Sequence, residues 1–184
     1  MSRPHVDPAI LRPIEPEEYD RLVADGFFAG EHVELIHRHL VTMSPQGAPH
    51  IWTINELTEL LVLALSGRAK VQSQGPLALA DSRPEPDVAL LPLPSSPDQL
   101  ASTAHLVVEV AVTSGDFDRG TKADLYASAD IPEYWIVDVA AGEVEVRRDP
   151  RDGRYRSMAT YGRDETIALV RFPDVEVAVA KFVR

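Results

Sequence analysis

The chain contains no cysteine, which excludes disulfides, thiolate metal sites and every mechanism that needs a cysteine nucleophile. It has no run of 18 or more uncharged apolar residues, so nothing in it reads as a membrane-spanning helix. The N-terminus, Met1 to Leu11, places Arg3, His5 and Asp7 where a signal peptide needs an apolar core. These absences predict a soluble, cytoplasmic protein with no membrane partner. Basic residues are scarce as well, 18 against 29 acidic ones, for a net charge of −11. Such a chain repels a phosphate backbone at long range and has no basic stripe to track a duplex, which argues against a pure DNA-binding module. Acidity does not exclude phosphate chemistry, because carboxylates gathered around a divalent cation have their local sign reversed by the ion. No Gly-x-Ser-x-Gly elbow occurs, which disfavours a hydrolase built on a serine nucleophile. Internal repeats, low-complexity segments and long linkers are missing too, so the 184 residues, 45% of them hydrophobic, are expected to form a single domain over 1–184.

What is present organises the chain into alternating elements. Pro16 to Val23 reads as a short helix with proline and acidic residues in its first turn, ending near Gly26. His32 to Ile36 and His39 to Met43 alternate as a hairpin, although His37-Arg38 is a poor tight turn. Pro49 to Ser66 places Ile51, Ile54, Leu57, Leu61 and Leu65 at helical spacing before Gly67. Short β-like runs follow at Lys70 to Gln74, Leu77 to Ala80 and Asp87 to Leu91, the last entered through a Pro-Glu-Pro kink. Pro92 to Ser102 reads as a loop. His105 to Val112 is almost wholly apolar, as in a strand buried on both faces. A helix from about Asp118 to Ala129 and a strand from Glu133 to Val139 complete a βαβ crossover. Beyond Glu143 the chain alternates, with Asp152-Gly153 as a hairpin turn between outer, half-exposed strands. The pattern predicts an α/β or α+β fold around a mixed sheet.

Glu109 interrupts the run Leu106-Val107-Val108-Glu109-Val110. An ionised, unpaired carboxylate buried there costs several kcal/mol, so it needs a cation, a hydrogen-bond partner or solvent. Asp87 opens its strand, and Glu34 interrupts the one around Val33 and Leu35 in the same way. Three carboxylates on three core strands could hold a hard divalent ion such as Mg²⁺ or Mn²⁺, which takes oxygen ligands. Lys122, on the helix after Glu109, could orient an attacking water or offset charge on a phosphate, with Tyr126 one turn further on the same face. Blander readings stand beside these. A salt bridge would satisfy Glu109, Asp87 could terminate a loop, and Glu34 could face solvent on an edge strand. Lys122 could form an ordinary surface pair with Asp118, and Tyr126 could simply pack. His37 and His39 would share a strand face but are more simply solvated.

The stretch Leu106 to Val110, followed by Lys122, Tyr126 and Ile131-Pro132-Glu133-Tyr134-Trp135-Ile136-Val137-Asp138, resembles the bacterial Uma family of restriction endonucleases, within the PD-(D/E)XK nuclease superfamily. The resemblance extends upstream through Val33-Glu34-Leu35-Ile36, Met43-Ser44-Pro45 with His50, and Pro86-Asp87-Val88. It implies a restriction-endonuclease-like mixed central sheet flanked by helices, with extra antiparallel C-terminal strands. It also implies Mg²⁺- or Mn²⁺-dependent hydrolysis of DNA, with Asp87 and Glu109 as metal ligands, Glu34 at the family's upstream acidic position, and Lys122 as a displaced catalytic lysine. Ala111 stands where the superfamily's usual pattern has that lysine. His37-Arg38-His39 replaces the usual Asp-Gly-Glu turn, and Val112-Thr113-Ser114 the usual Ser-Pro-Ser. Duplex cleavage would call for a homodimer. The alternative is a non-catalytic interaction or regulatory protein on a nuclease-derived fold, consistent with the acidic charge.

Overall fold

Pro16 in the first helical turn, with Glu17 and Glu18 beside the positive end of the helix dipole, starts α1 (Pro16–Ala24). The computed structural model describes residues 12–43, 46–111 and 115–184. Strands β1 (Val33–Ile36) and β2 (His39–Thr42) form the expected antiparallel hairpin. Its turn residues His37 and Arg38 both adopt positive φ, 47° and 64°, a conformation that costs a residue with a Cβ energy. Outside contacts offset that cost: the His37 N–H donates to Ser82 Oγ at 2.8 Å and the Arg38 N–H to the Asp81 carbonyl at 3.0 Å. His37 therefore lies in the turn and its Nδ1 stands 3.1 Å from Asp81 Oδ2, so the two histidines do not share a strand face.

Helix α2 (Ala48–Ala64) buries Ile54, Leu57 and Leu61. The inward stripe begins at His50, whereas Ile51 is 46% exposed. The spacing to Ile54 admits either residue, and packing selects the histidine. The main sheet then assembles from β3 (Lys70–Ser73), β4 (Val88–Leu91), β5 (Leu106–Ala111), β6 (Glu133–Asp138), β7 (Glu143–Arg151) and β8 (Arg154–Tyr161), in that spatial order. Only β5 and β6 pair in parallel, joined by the crossover; the other neighbours are antiparallel. A small antiparallel pair, β9 (Thr166–Ala168) and β10 (Glu176–Ala178), supplies the extra C-terminal strands.

Alternation along β5 divides the core. Val108 and Val110 pack with α2 and the C-terminal strands, while Val107 and Ala111 pack with the crossover helix and Ile36 of the hairpin. Leu77 to Ala80 is not a strand. Its backbone pairs piecemeal, Leu77 N to Pro84 O, Ala78 N to Ala101 O and Leu79 N to Ser82 O, so the segment makes isolated β-bridges, to Ala101 and across the tight turn to Ser82, and no ladder. The crossover helix is not continuous either. A turn at α3 (Gly115–Phe117) passes into a π-helical segment, Asp118–Lys122, before α4 (Ala123–Ser128). Gly120, a poor helix former, sits inside that widened segment. Ser44, Pro45 and Val112 to Ser114, which belong to the family-like motifs, and Met1 to Leu11 lie outside the described residues. Among the described residues no helix is long and apolar enough to cross a membrane.

The β7–β8 turn is the expected two-residue Asp152-Gly153 connection, with φ of 51° and 71°. A Cβ at Gly153 would also lie 2.9 Å from Ser128 Oγ. Gly153→Ala is expected to destabilise the protein by about 1–2 kcal/mol, read as a lowered urea midpoint at unchanged slope. An unmoved midpoint would show that the turn relaxes freely.

Candidate active site

Glu109 projects from β5 on the same side as Val107 and Ala111, toward the crossover helix, and is 4% exposed. There Lys122 Nζ donates to Glu109 Oε1 at 2.9 Å and to Glu34 Oε1 at 3.1 Å. The Tyr126 hydroxyl donates to the same Glu109 oxygen at 2.7 Å. Lys122 is 0% exposed and Glu34 2%. The surface pair of Lys122 with Asp118 and the solvent-facing Glu34 are thereby excluded. The π-helical segment ends at Lys122, with the Ala123 N–H bonded back to the Asp118 carbonyl. Lys122 and Tyr126 then face Glu109 together, four residues apart on one helical face. Tyr126 packs against Tyr134, so it is both a packing residue and a hydrogen-bond donor to the site.

Asp87 sits where the β4–β5 ladder stops, one residue before the Val88–Val108 pair. The Val110 N–H, beyond the reach of that ladder, donates to Asp87 Oδ2 at 2.8 Å. His50 Nε2 lies 3.1 Å from the same oxygen. Glu34 Oε1 also accepts the Glu85 N–H at 3.1 Å, whereas Glu34 Oε2 is buried without a partner among the described residues. One pattern recurs: in each carboxylate a single oxygen is held by two donors and the other takes no hydrogen bond from a described residue.

The electrostatics follow from burial and from the central ammonium. Burial raises the Glu34 carboxyl above its usual range, and Lys122 opposes that shift. Burial pushes Glu109 well above its usual range, again against Lys122, with Asp87 and Glu34 adding to the rise. Burial disfavours charge on Lys122, but Glu109 and Glu34 outweigh it and the ammonium titrates above its ordinary range. Burial and then Glu109 hold Tyr126 firmly protonated, so it is a donor to the carboxylate.

All four candidate residues line one cleft of about 660 Å³. Among the described residues five acidic ones line it, Glu34, Glu85, Asp87, Glu109 and Asp118, and Lys122 is the one Lys or Arg. Among the described residues no three histidine or acidic side chains are grouped so as to hold one ion as they stand. Mg²⁺ does not require such a cage, since it keeps several waters and is commonly bound through one or two carboxylates. The donor set, hard oxygens with one carboxylate oxygen left unsatisfied in Glu34, fits such an ion. Two participants carry no direct site signal in the sequence: Glu85 lies within the Pro-Glu-Pro kink, and His50 stands in a motif of the resemblance without a role. The indirect signal for His50 is its place four residues before Ile54 on the inward stripe of α2.

A family profile described as "Uma2: Putative restriction endonuclease" matches residues 16–180. Among solved structures, a "putative nuclease belonging to DUF820" from Anabaena variabilis ATCC 29413 is similar, with a TM-score of 0.68 over 82% of this chain and 88% of that chain at 12% identity. At that identity the likeness is one of fold. No curated protein matches the sequence.

Proposed function

The chain belongs to the Uma2 family, described as "Putative restriction endonuclease", and from that premise we propose that it is a metal-dependent nuclease hydrolysing phosphodiester bonds of DNA at Glu34, Asp87, Glu109 and Lys122. The observation that carries this reading is the set of three carboxylates in one cleft, each with one oxygen clamped and the other taking no hydrogen bond from a described residue. Asp87 and Glu109, with Glu34, are the residues that would hold Mg²⁺ or Mn²⁺, an ion that supplies water activation and charge stabilisation at phosphoryl oxygens. The ion also answers the charge problem, because five acidic side chains around the cleft repel a phosphate that Lys122 alone cannot neutralise.

The protein's own groups prepare the site. Tyr126 and Lys122 fix Glu109 through Oε1, and the Glu85 N–H fixes Glu34. Lys122, beside both carboxylates, can orient the attacking water or offset charge on the scissile phosphate during in-line displacement. The same reading takes residues 1–184 as one nuclease domain that works on duplex DNA as a homodimer.

The charge of the cleft also favours a second reading, a non-catalytic interaction protein on the same fold. One experiment separates them: Mn²⁺ and Mg²⁺ titrated calorimetrically into the wild type, beside nicking of supercoiled plasmid with and without EDTA. Metal uptake with EDTA-sensitive nicking is expected. No metal uptake would sink the catalytic reading and favour the interaction protein.

A further inference from the structure

The imidazole of His50 occupies a position that packing alone does not explain. It heads the inward stripe of α2, ahead of Ile54, Leu57 and Leu61, and is 8% exposed. A leucine would fill such a place without burying polar atoms. Yet Nδ1 is buried with no partner among the described residues, and the ring's one polar contact is Nε2, 3.1 Å from Asp87 Oδ2. Among the described residues, the one other donor to the Asp87 carboxylate is the Val110 N–H. A single donor leaves a carboxylate free to swing about its terminal torsion, which is broad. Two donors from different elements, α2 and β5, fix it.

We propose that His50 is a positioning residue for Asp87: Nε2–H and the Val110 N–H clamp Oδ2 and so present Oδ1 as the metal-ligating oxygen. This rests on the metal-dependent reading above. Outer contacts of this kind orient ligating carboxylates, and their loss commonly weakens metal binding roughly 10–100-fold.

The test uses the full chain with His50→Leu, which keeps apolar bulk but no donor, and His50→Gln, whose amide nitrogen can stand near the place of Nε2. Mn²⁺ is titrated calorimetrically into each, and melting is followed without metal. His50→Leu is expected to melt no lower than wild type while binding Mn²⁺ roughly 10–100-fold more weakly; His50→Gln is expected to bind within a few-fold of wild type. Unchanged Mn²⁺ affinity in His50→Leu would make His50 a packing residue and overturn the proposal. So would a His50→Gln variant as weak as His50→Leu. Wild type that takes up no Mn²⁺ would overturn the metal-dependent reading itself, and this proposal with it.

Discussion

Lys122→Met is expected to destabilise the protein by about 3–5 kcal/mol, because it leaves two buried carboxylates facing each other without their shared cation. The ammonium is 0% exposed and lies within hydrogen-bond distance of both Glu109 and Glu34. For a chain of this size each kcal/mol corresponds to roughly 2–4 °C in melting temperature. The pH dependence follows from the directions of the shifts. Glu34 and Glu109 are raised by burial, with Lys122 holding them down. Without Lys122 both rise further, so the folded variant favours protonated carboxyls. Its deficit should be smallest at acid pH, where both are neutral in the folded form of either protein, and widen as pH rises through their raised values. In the wild type the contribution of Lys122, itself raised, persists to alkaline pH and is lost only as pH climbs through that raised value. Thermal melts of both proteins across pH 5 to pH 8, about the range in which single domains are usually most stable, would check this. Equal melting temperatures at the upper end would mean that the cluster rearranges cheaply and Lys122 is not its structural centre.

Glu109→Gln should separate fold from function in the opposite sense. The amide keeps the shape and an oxygen for the Tyr126 hydroxyl, while Lys122 retains Glu34 as its counter-charge. Burial holds Glu109 well above the usual carboxylate range, so a neutral group there removes a desolvation cost. Stability is expected to be unchanged or raised by roughly 1 kcal/mol. Plasmid nicking and Mn²⁺ uptake, by contrast, should fall by more than the roughly 100-fold that changes outside the direct ligands produce. A variant that is stable but inactive would place Glu109 among the functional carboxylates. Full activity would remove it from the metal, and loss of both fold and activity would make its role structural. Because wild-type stability declines as pH rises through the Glu109 value, the variant's stability should also vary less with pH.

Much of the fold was legible because its signals are local. The alternation of β7 and β8, the Asp152-Gly153 turn, the apolar run of β5 and the helical spacing of α2 each depend on neighbours a few residues apart. The misreadings have equally physical causes. Leu77 to Ala80 has strand-like composition, but its backbone groups pair with Ser82, Pro84 and Ala101 in isolated bridges that never extend into a ladder. The α2 stripe could start at Ile51 or His50, and only the packing of its N-terminal turn beside Asp87 chose the histidine. The crossover helix gave no period-based sign of its π-helical segment beyond Gly120.

The sequence by itself determined which carboxylates were anomalous, since Glu34 and Glu109 break apolar strands, and the order of motifs that places the chain in its family. It could not decide what those charges meet. Lys122 and Glu34 are 88 positions apart and Asp87 and His50 37 apart, and a lysine in a helix reads the same whether it faces water or a buried acid. Burial, the clamped and free oxygens and the shared ammonium arise only when distant segments pack against one another. Packing sets the local dielectric and the partners, and those two quantities decide whether a charged side chain is a solvated surface group or part of a site.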